Sequence, residues 1–384
     1  MTQESLKLSS RSSISPFFAM EVMRDANKRQ ANGQDIVHLE VGEPCFGAPS
    51  KVITRAKQLL DQSPLGYTEA LGTPSFRQAI AAHYKTVYNT TISPDNVIAT
   101  FGASGAFLIA FLVSFDVGDR VAIIEPGYPA YRNILQALGV EVVSIRPGPG
   151  NSFSATLELL QKTPSVQGLI IASPANPTGT MLSADELAQL VGWCKMQHIR
   201  LISDEIYHGI QYEKVASTAA GLDNQTIVIN SFSKYFAMTG WRIGWMVAPP
   251  TLVPAIEKIA QNFFVSPSAL SQQAAIVALD CRDELDLYVE AYRRNRSVLL
   301  ETLPAAGFTN ILPAHGAFYL YADASNLTND TTKLCKKILE DIGVAITPGV
   351  DFDPTDGHRY VRVSFAGKEQ MIAQAARRLE NWKN

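Results

Sequence analysis

The sequence predicts an α/β fold with a mostly parallel sheet covered by helices on both faces. Two observations carry that prediction. Between residues 95 and 250, short apolar runs alternate with amphipathic stretches of helical length. Such alternation means crossover units, which join parallel strands. The chain is also 384 residues long, more than a single core usually holds, so a large domain with a smaller one attached is expected.

The elements follow in order. "NVIATF" (96–101) reads as a strand that passes through "GASGA" into the helical "FLIAFLVSF". "RVAIIEP" (120–126) passes through "GYP" into "AYRNILQALG" and then the strand "VEVVSI". "GLIIASP" (168–174) passes through "ANPTGT" into "SADELAQLVGWCKMQ" and then "IRLISDEIY". In that last helix Ser183 and Glu186 have the spacing of a capping box, and Leu187, Leu190, Val191 and Cys194 form an apolar face at helical period. A further strand, "TIVI" (226–229), runs straight into "NSFSKYFAMTGWRIGW".

In open parallel sheets, ligands bind beyond the carboxyl ends of the strands. Ser104, Tyr128, Asn176, Asp204, Tyr207 and Lys234 fall there, from what read as five consecutive strand ends. "GASGA" opens a helix after a strand, so its amides and the helix dipole can hold a phosphate, although a tight turn explains the loop as well. Neither a dinucleotide fingerprint nor a Walker pattern is present. Arg242 and the hydroxyls of Ser231 and Ser233 would complete a site for one phosphate. Lys234 beside it would attack a carbonyl and form a Schiff base. Pyridoxal phosphate carries both a phosphate and an aldehyde. Asp204 would keep its ring nitrogen protonated, Tyr207 and Asn176 would bond its phenolic oxygen, and Tyr128 would stack on its face.

Composition excludes some alternatives. An apolar fraction of 46% with 18% charged residues is that of a globular protein, and a net charge of −3 gives no reason to expect nucleic acid or an anionic membrane. Cys45, Cys194, Cys281 and Cys335 have no metal or redox spacing, which suggests reduced thiols and a cytoplasmic location. The polar amino terminus lacks a signal-peptide core, and Glu4 argues against a transit peptide.

On these residues the chain resembles the class I/II aminotransferases of pyridoxal-phosphate fold type I. The motifs are "VGEPCFGAP", "YTEALGTPSFRQAI", "ASPANPTG", "SDEIY", "SFSKYFAMTGWRIG", "PAHGAFY" and "YVRVSF", spread over nearly the whole chain. The resemblance implies a seven-stranded sheet in a large domain, residues 46–280. It implies a small α+β domain built from an arm, residues 1–45, and a carboxy-terminal region, residues 281–384. It also implies a ping-pong exchange of an amino group between an α-amino acid and a 2-oxo acid. Lys234 is then the Schiff-base lysine and the general acid and base, and Asp204 and Tyr207 act with it. Ala103, Ser104, Ser231, Ser233 and Arg242 hold the phosphate. Arg362, helped by Gly42 and Asn176, clamps the substrate carboxylate. Tyr67 reaches the phosphate of a neighbouring subunit, which implies a homodimer with its active sites at the interface.

The stretch "SPFFAMEV" (15–22) is expected to be a mobile helix at the site entrance with Phe17 or Phe18 facing substrate, or else ordinary packing. Cys45, His315, Asp351 and Asp353 depart from the family pattern and bear on the substrate. A C–S β-lyase of the same fold and a non-catalytic cofactor-binding regulator are the rival readings.

Overall fold

The computed structural model describes residues 6–383, so part of the polar amino terminus, Glu4 included, lies outside the described residues. Helix α1 (Phe18–Ala31) leads to a short strand, β1 (Val37–His38). Helices α2 (Ser50–Gln62) and α3 (Pro74–Tyr88) follow. Thr73 caps α3 by accepting from the Phe76 amide, Pro74 fits its first turn, and Asn89 ends it in a left-handed conformation.

The sheet region then runs β2 (Val97–Thr100), α4 (Gly102–Ser114), β3 (Arg120–Ile124), α5 (Pro129–Ala137), β4 (Glu141–Ile145) and α6 (Leu157–Gln161). It continues with β5 (Gly168–Ala172), α7 (Ala184–Met196), β6 (Arg200–Asp204), β7 (Ile227–Ser231) and β8 (Gly244–Val247). The capping box of Ser183 and Glu186 is formed, and Leu187, Leu190, Val191 and Cys194 are buried as the periodicity predicts.

These strands make one seven-stranded sheet in the order β2-β8-β7-β6-β5-β3-β4. All neighbours are parallel except those of β8, which runs antiparallel between β2 and β7. The strand alternation sorts side chains to two cores. Ile98, Ile170, Ile202, Ile229 and Met246 face α4, α5 and helix α8 (Val253–Phe264). Ala99, Ile171, Leu201, Val228 and Trp245 face the opposite core, with α3, α7 and helix α9 (Ala269–Ala278). The central strands therefore carry apolar residues on both faces, as a sheet covered on both faces requires.

The long helix α10 (Arg282–Ala305) leads into β9 (Tyr319–Asp323), α11 (Thr331–Ile342), β10 (Val344–Ala345), β11 (Thr347–Pro348), β12 (Tyr360–Ser364) and α12 (Glu369–Asn381). Strands β11, β12 and β9 form an antiparallel sheet. Strand β1 pairs with β10, so the amino-terminal arm joins the carboxy-terminal region by backbone hydrogen bonds.

Two features position the site. The sheet order reverses between β3 and β5, which opens a crevice beyond their carboxyl ends. The five strands named from the sequence are not consecutive, however. β4 lies outside β3 at the sheet edge, and β8 separates β7 from β2. The antiparallel β8 goes beyond what strand and helix alternation predicts: Gly244 pairs with Ser231, so the chain returns to the strand end from which Lys234 departs.

Candidate active site

The β2–α4 turn places Gly102 at φ +65°, and a Cβ there would lie 2.7 Å from Nη2 of Arg242. Only a glycine lets that guanidinium rest against the first turn of α4. Helix α4 has no side-chain cap and no acidic residue in its first turn, so the positive end of its dipole is left for an anion. Ala103 and Ser104 lie beside Arg242 on the cavity wall. Ser233 also lines the cavity. Ser231 stands behind it, with its Oγ 2.9 Å from the Ser233 Oγ and accepting from the Ser233 amide.

Lys234 donates from Nζ to the carbonyl of Gly42 at 2.6 Å. Burial, followed by the nearby Arg362, pushes its amine down to about 8, although Glu43 and Asp204 oppose the shift. A neutral, nucleophilic amine is therefore accessible near physiological pH. Asp204 ends β6 and is buried. It accepts from the Ile206 amide at 3.1 Å and from the hydroxyl of Tyr131. Burial pushes its carboxyl up to about 6, against the pull of Tyr131, Ile206 and Lys234. A cation beside it would reverse that shift.

Tyr207 and Tyr319 bring their hydroxyls within 2.8 Å of each other. Arg362, on β12, is only 2% exposed and lies between the rings of Tyr319 (4.4 Å) and Phe352 (4.6 Å). It donates to Asn176 Oδ1 at 3.1 Å, to the Glu40 carbonyl and to Thr347 Oγ1. Its Nε is buried without a partner. A buried donor of this kind is costly unless an anion completes it.

One cavity of about 470 Å³ brings together Gly42, Ala103, Ser104, Tyr128, Asn176 and Asp204 with Tyr207, Ser233, Lys234, Arg242 and Arg362. Tyr67 lies outside it and is 89% exposed. Of the two candidate phenylalanines, Phe17 lines the cavity, edge-on to Tyr128, whereas Phe18 does not. Cys45, His315, Asp351 and Asp353 do not line it. Burial pushes the Cys45 thiol up to about 11, so it is not a thiolate. Tyr131 and Tyr319 are lining residues that the sequence reading did not single out. Tyr131 lies in the opening turn of α5, three residues after Tyr128, which immediately precedes the helix, and the two rings meet edge-on at 5.4 Å.

Residues 34–379 match the family profile described as aminotransferase class I and II. The chain belongs to the class I and II aminotransferases. Members of this family depend on pyridoxal phosphate. The aminotransferase is 46% identical to the valine–pyruvate aminotransferase of Mycobacterium tuberculosis over 97% of each chain. It is 32% identical to an aspartate/prephenate aminotransferase of Thermus thermophilus over 95% of each chain. Its fold superposes on a crystal structure of an aminotransferase from M. tuberculosis with a TM-score of 0.96 at 45% identity, covering 98% of this chain and 99% of that one. For the T. thermophilus aspartate aminotransferase with maleate the TM-score is 0.92 at 30% identity, with 98% and 99% coverage. Among the described residues, no helix is long and apolar enough to cross a membrane.

Proposed function

We propose that this aminotransferase moves an amino group between a neutral aliphatic α-amino acid and a 2-oxo acid by a ping-pong route through Lys234, with pyridoxal phosphate held in the cavity described above. The observation that carries the proposal is the meeting, in one cavity, of a depressed lysine amine, a buried aspartate, an arginine at a helix N-terminus and a second arginine with an orphaned donor. The residues fit the cofactor. Amides of Ala103 and Ser104, the hydroxyls of Ser104 and Ser233, and Arg242 would hold its phosphate, with Ser231 fixing Ser233 from behind. Asp204 would face the ring nitrogen, Tyr128 a ring face, and Asn176 and Tyr207 the phenolic oxygen. Bound there, the cofactor supplies an aldehyde carbon for amine exchange and a conjugated ring that accepts the electron pair left by the departing α-proton.

The remaining chemistry belongs to the chain. The Lys234 amine would take the proton that leaves the substrate's α-carbon and hold it for return, acting as general base and then general acid. Gly42 accepts from Nζ and so sets the direction from which the amine approaches. Arg362 pairs with the carboxylate that amino acid and oxo acid share, and its clamping by Tyr319 and Phe352 keeps the fork in one plane. Phe17 and Met20 line the same cavity and add apolar wall beside the amine.

The aliphatic assignment rests on the 46% identical valine–pyruvate relative and on the lining. Among the described residues the cavity's cations are Lys234, Arg242 and Arg362, each already engaged in this scheme, and Phe17, Ala19, Met20, Val41 and Phe107 supply apolar wall. The exposed Tyr67 is the residue that would reach a second copy's phosphate, in a homodimer whose subunits divide near residues 46 and 280 into a large and a small domain. A panel of amino donors with pyruvate and with 2-oxoglutarate as acceptors tests the reading. Valine-type donors should outpace aspartate. Pyruvate and ammonia released from a β-substituted alanine, without amino transfer, would instead establish the lyase.

A further inference from the structure

Helix α1 begins without a cap of its own, because Phe17 precedes it and offers no side-chain acceptor. The first amides are satisfied from the far end of the chain. Asp351 Oδ1 accepts from the Phe18 amide and Oδ2 from the Ala19 amide, both at 3.1 Å. Both carboxylate oxygens are thus committed to one helix end, where a negative charge also meets the positive end of the dipole. Asp351 is buried and sits on a tightly packed turn: a Cβ on Gly349 would lie 2.6 Å from the carbonyls of Gly357 and Tyr360. Its own carbonyl accepts from Arg132 Nη2 at 3.3 Å. The next residue, Phe352, is the ring that stacks on Arg362.

The turn therefore holds two things at once, the bench for the carboxylate clamp and the first turn of α1. That start of α1 places Ala19 and Met20, and Phe17 just before the helix, on the cavity wall, with Phe17 edge-on to Tyr128 at 6.0 Å. We propose that Asp351 is a specificity-determining positioning residue. By fixing the start of α1 relative to Arg362, it sets how far the apolar wall stands from the carboxylate site, and so which side-chain length is favoured.

The inference uses the aliphatic reading only for its kinetic arm. Hydrogen–deuterium exchange of the unliganded full-length protein supplies the independent arm. In Asp351→Ala the amides of Phe18 and Ala19 should exchange about tenfold faster or more, since bonds to a charged acceptor are lost. The ratio of kcat/KM for valine over that for alanine should fall by about tenfold, the low end of what an apolar wall contributes per methylene. Asp351→Asn, which keeps one acceptor, should recover part of both effects. Phe17→Ala should lower the ratio while leaving exchange at Phe18 and Ala19 slow, which keeps the test available if Asp351→Ala does not fold. Unchanged exchange in Asp351→Ala would overturn the clasp. An unchanged valine-to-alanine ratio alongside faster exchange would overturn its role in specificity. Absence of transamination with every donor, with the exchange effect intact, would fault the functional reading and not the clasp.

Discussion

Gly42 and Tyr319 are in such close contact that a Cβ on the glycine would fall 1.6 Å from the tyrosine hydroxyl. The same glycine's carbonyl accepts from Lys234, and the same tyrosine carries Arg362 on its face and bonds Tyr207. Any side chain at residue 42 must push the two apart. Gly42→Ala should therefore lower stability by about 1–3 kcal/mol, as overpacking does, and lower kcat/KM by about a hundredfold through misplacement of the reacting groups. Thermal melting and steady-state kinetics check both. Full activity would mean that the glycine's contact is incidental.

Lys234 has an amine pushed down to about 8 by burial and by Arg362. The rate at which cofactor-free protein takes up added pyridoxal phosphate should rise with pH through an inflection near 8, and Lys234→Ala should bind it without forming the covalent link. The linkage sign follows from the same depression. Between pH 8 and the ordinary lysine value of 10.5, the unfolded chain holds a proton that the folded chain has lost, so folding stability due to this group rises with pH in that window. An uptake rate that inflects above pH 10 would show that the amine is not depressed.

Tyr131 donates to Asp204, and this bond favours the ionised carboxylate. Tyr131→Phe should leave the aspartate harder to ionise, and the acid limb of kcat/KM should move to higher pH. Without the phenol, Asp204 also holds its proton more strongly in the folded cofactor-free state. With its carboxyl already raised from 3.8 to about 6, the stability this group contributes is present at low pH and is lost as pH climbs through about 6. Asp204→Asn should fold and lose most activity. A pH profile that does not move in Tyr131→Phe would assign the tyrosine to packing alone.

Arg362→Ala should raise KM for amino acid and oxo acid by a similar factor, because both present the same carboxylate. A charge-assisted pair is worth about 1.5–3 kcal/mol, so the rise should be tenfold or more. Arg362→Lys should recover little, since an ammonium cannot replace a planar fork held between Tyr319 and Phe352. If the variant weakens only one of the two substrates, the shared clamp is wrong.

What the sequence determined by itself is whatever periodicity and local chemistry encode. Strand and helix alternation made the parallel sheet legible, and Ser183 with Glu186 marked a helix start that forms as spaced. The addresses of Asp204 and Lys234 could be read because a polar residue at or just beyond the end of a buried strand has few places to go. Tertiary structure alone decided the rest. The antiparallel β8 brings Arg242 back to Gly102, a return that four residues of apolar strand cannot announce. Arg362 reaches Asn176, 186 residues away, and Glu40, 322 residues away, and Asp351 caps a helix near the opposite end of the chain. Such contacts leave no local signal, because each depends on two remote segments whose relative placement is set by burial of apolar surface and not by either segment's own pattern.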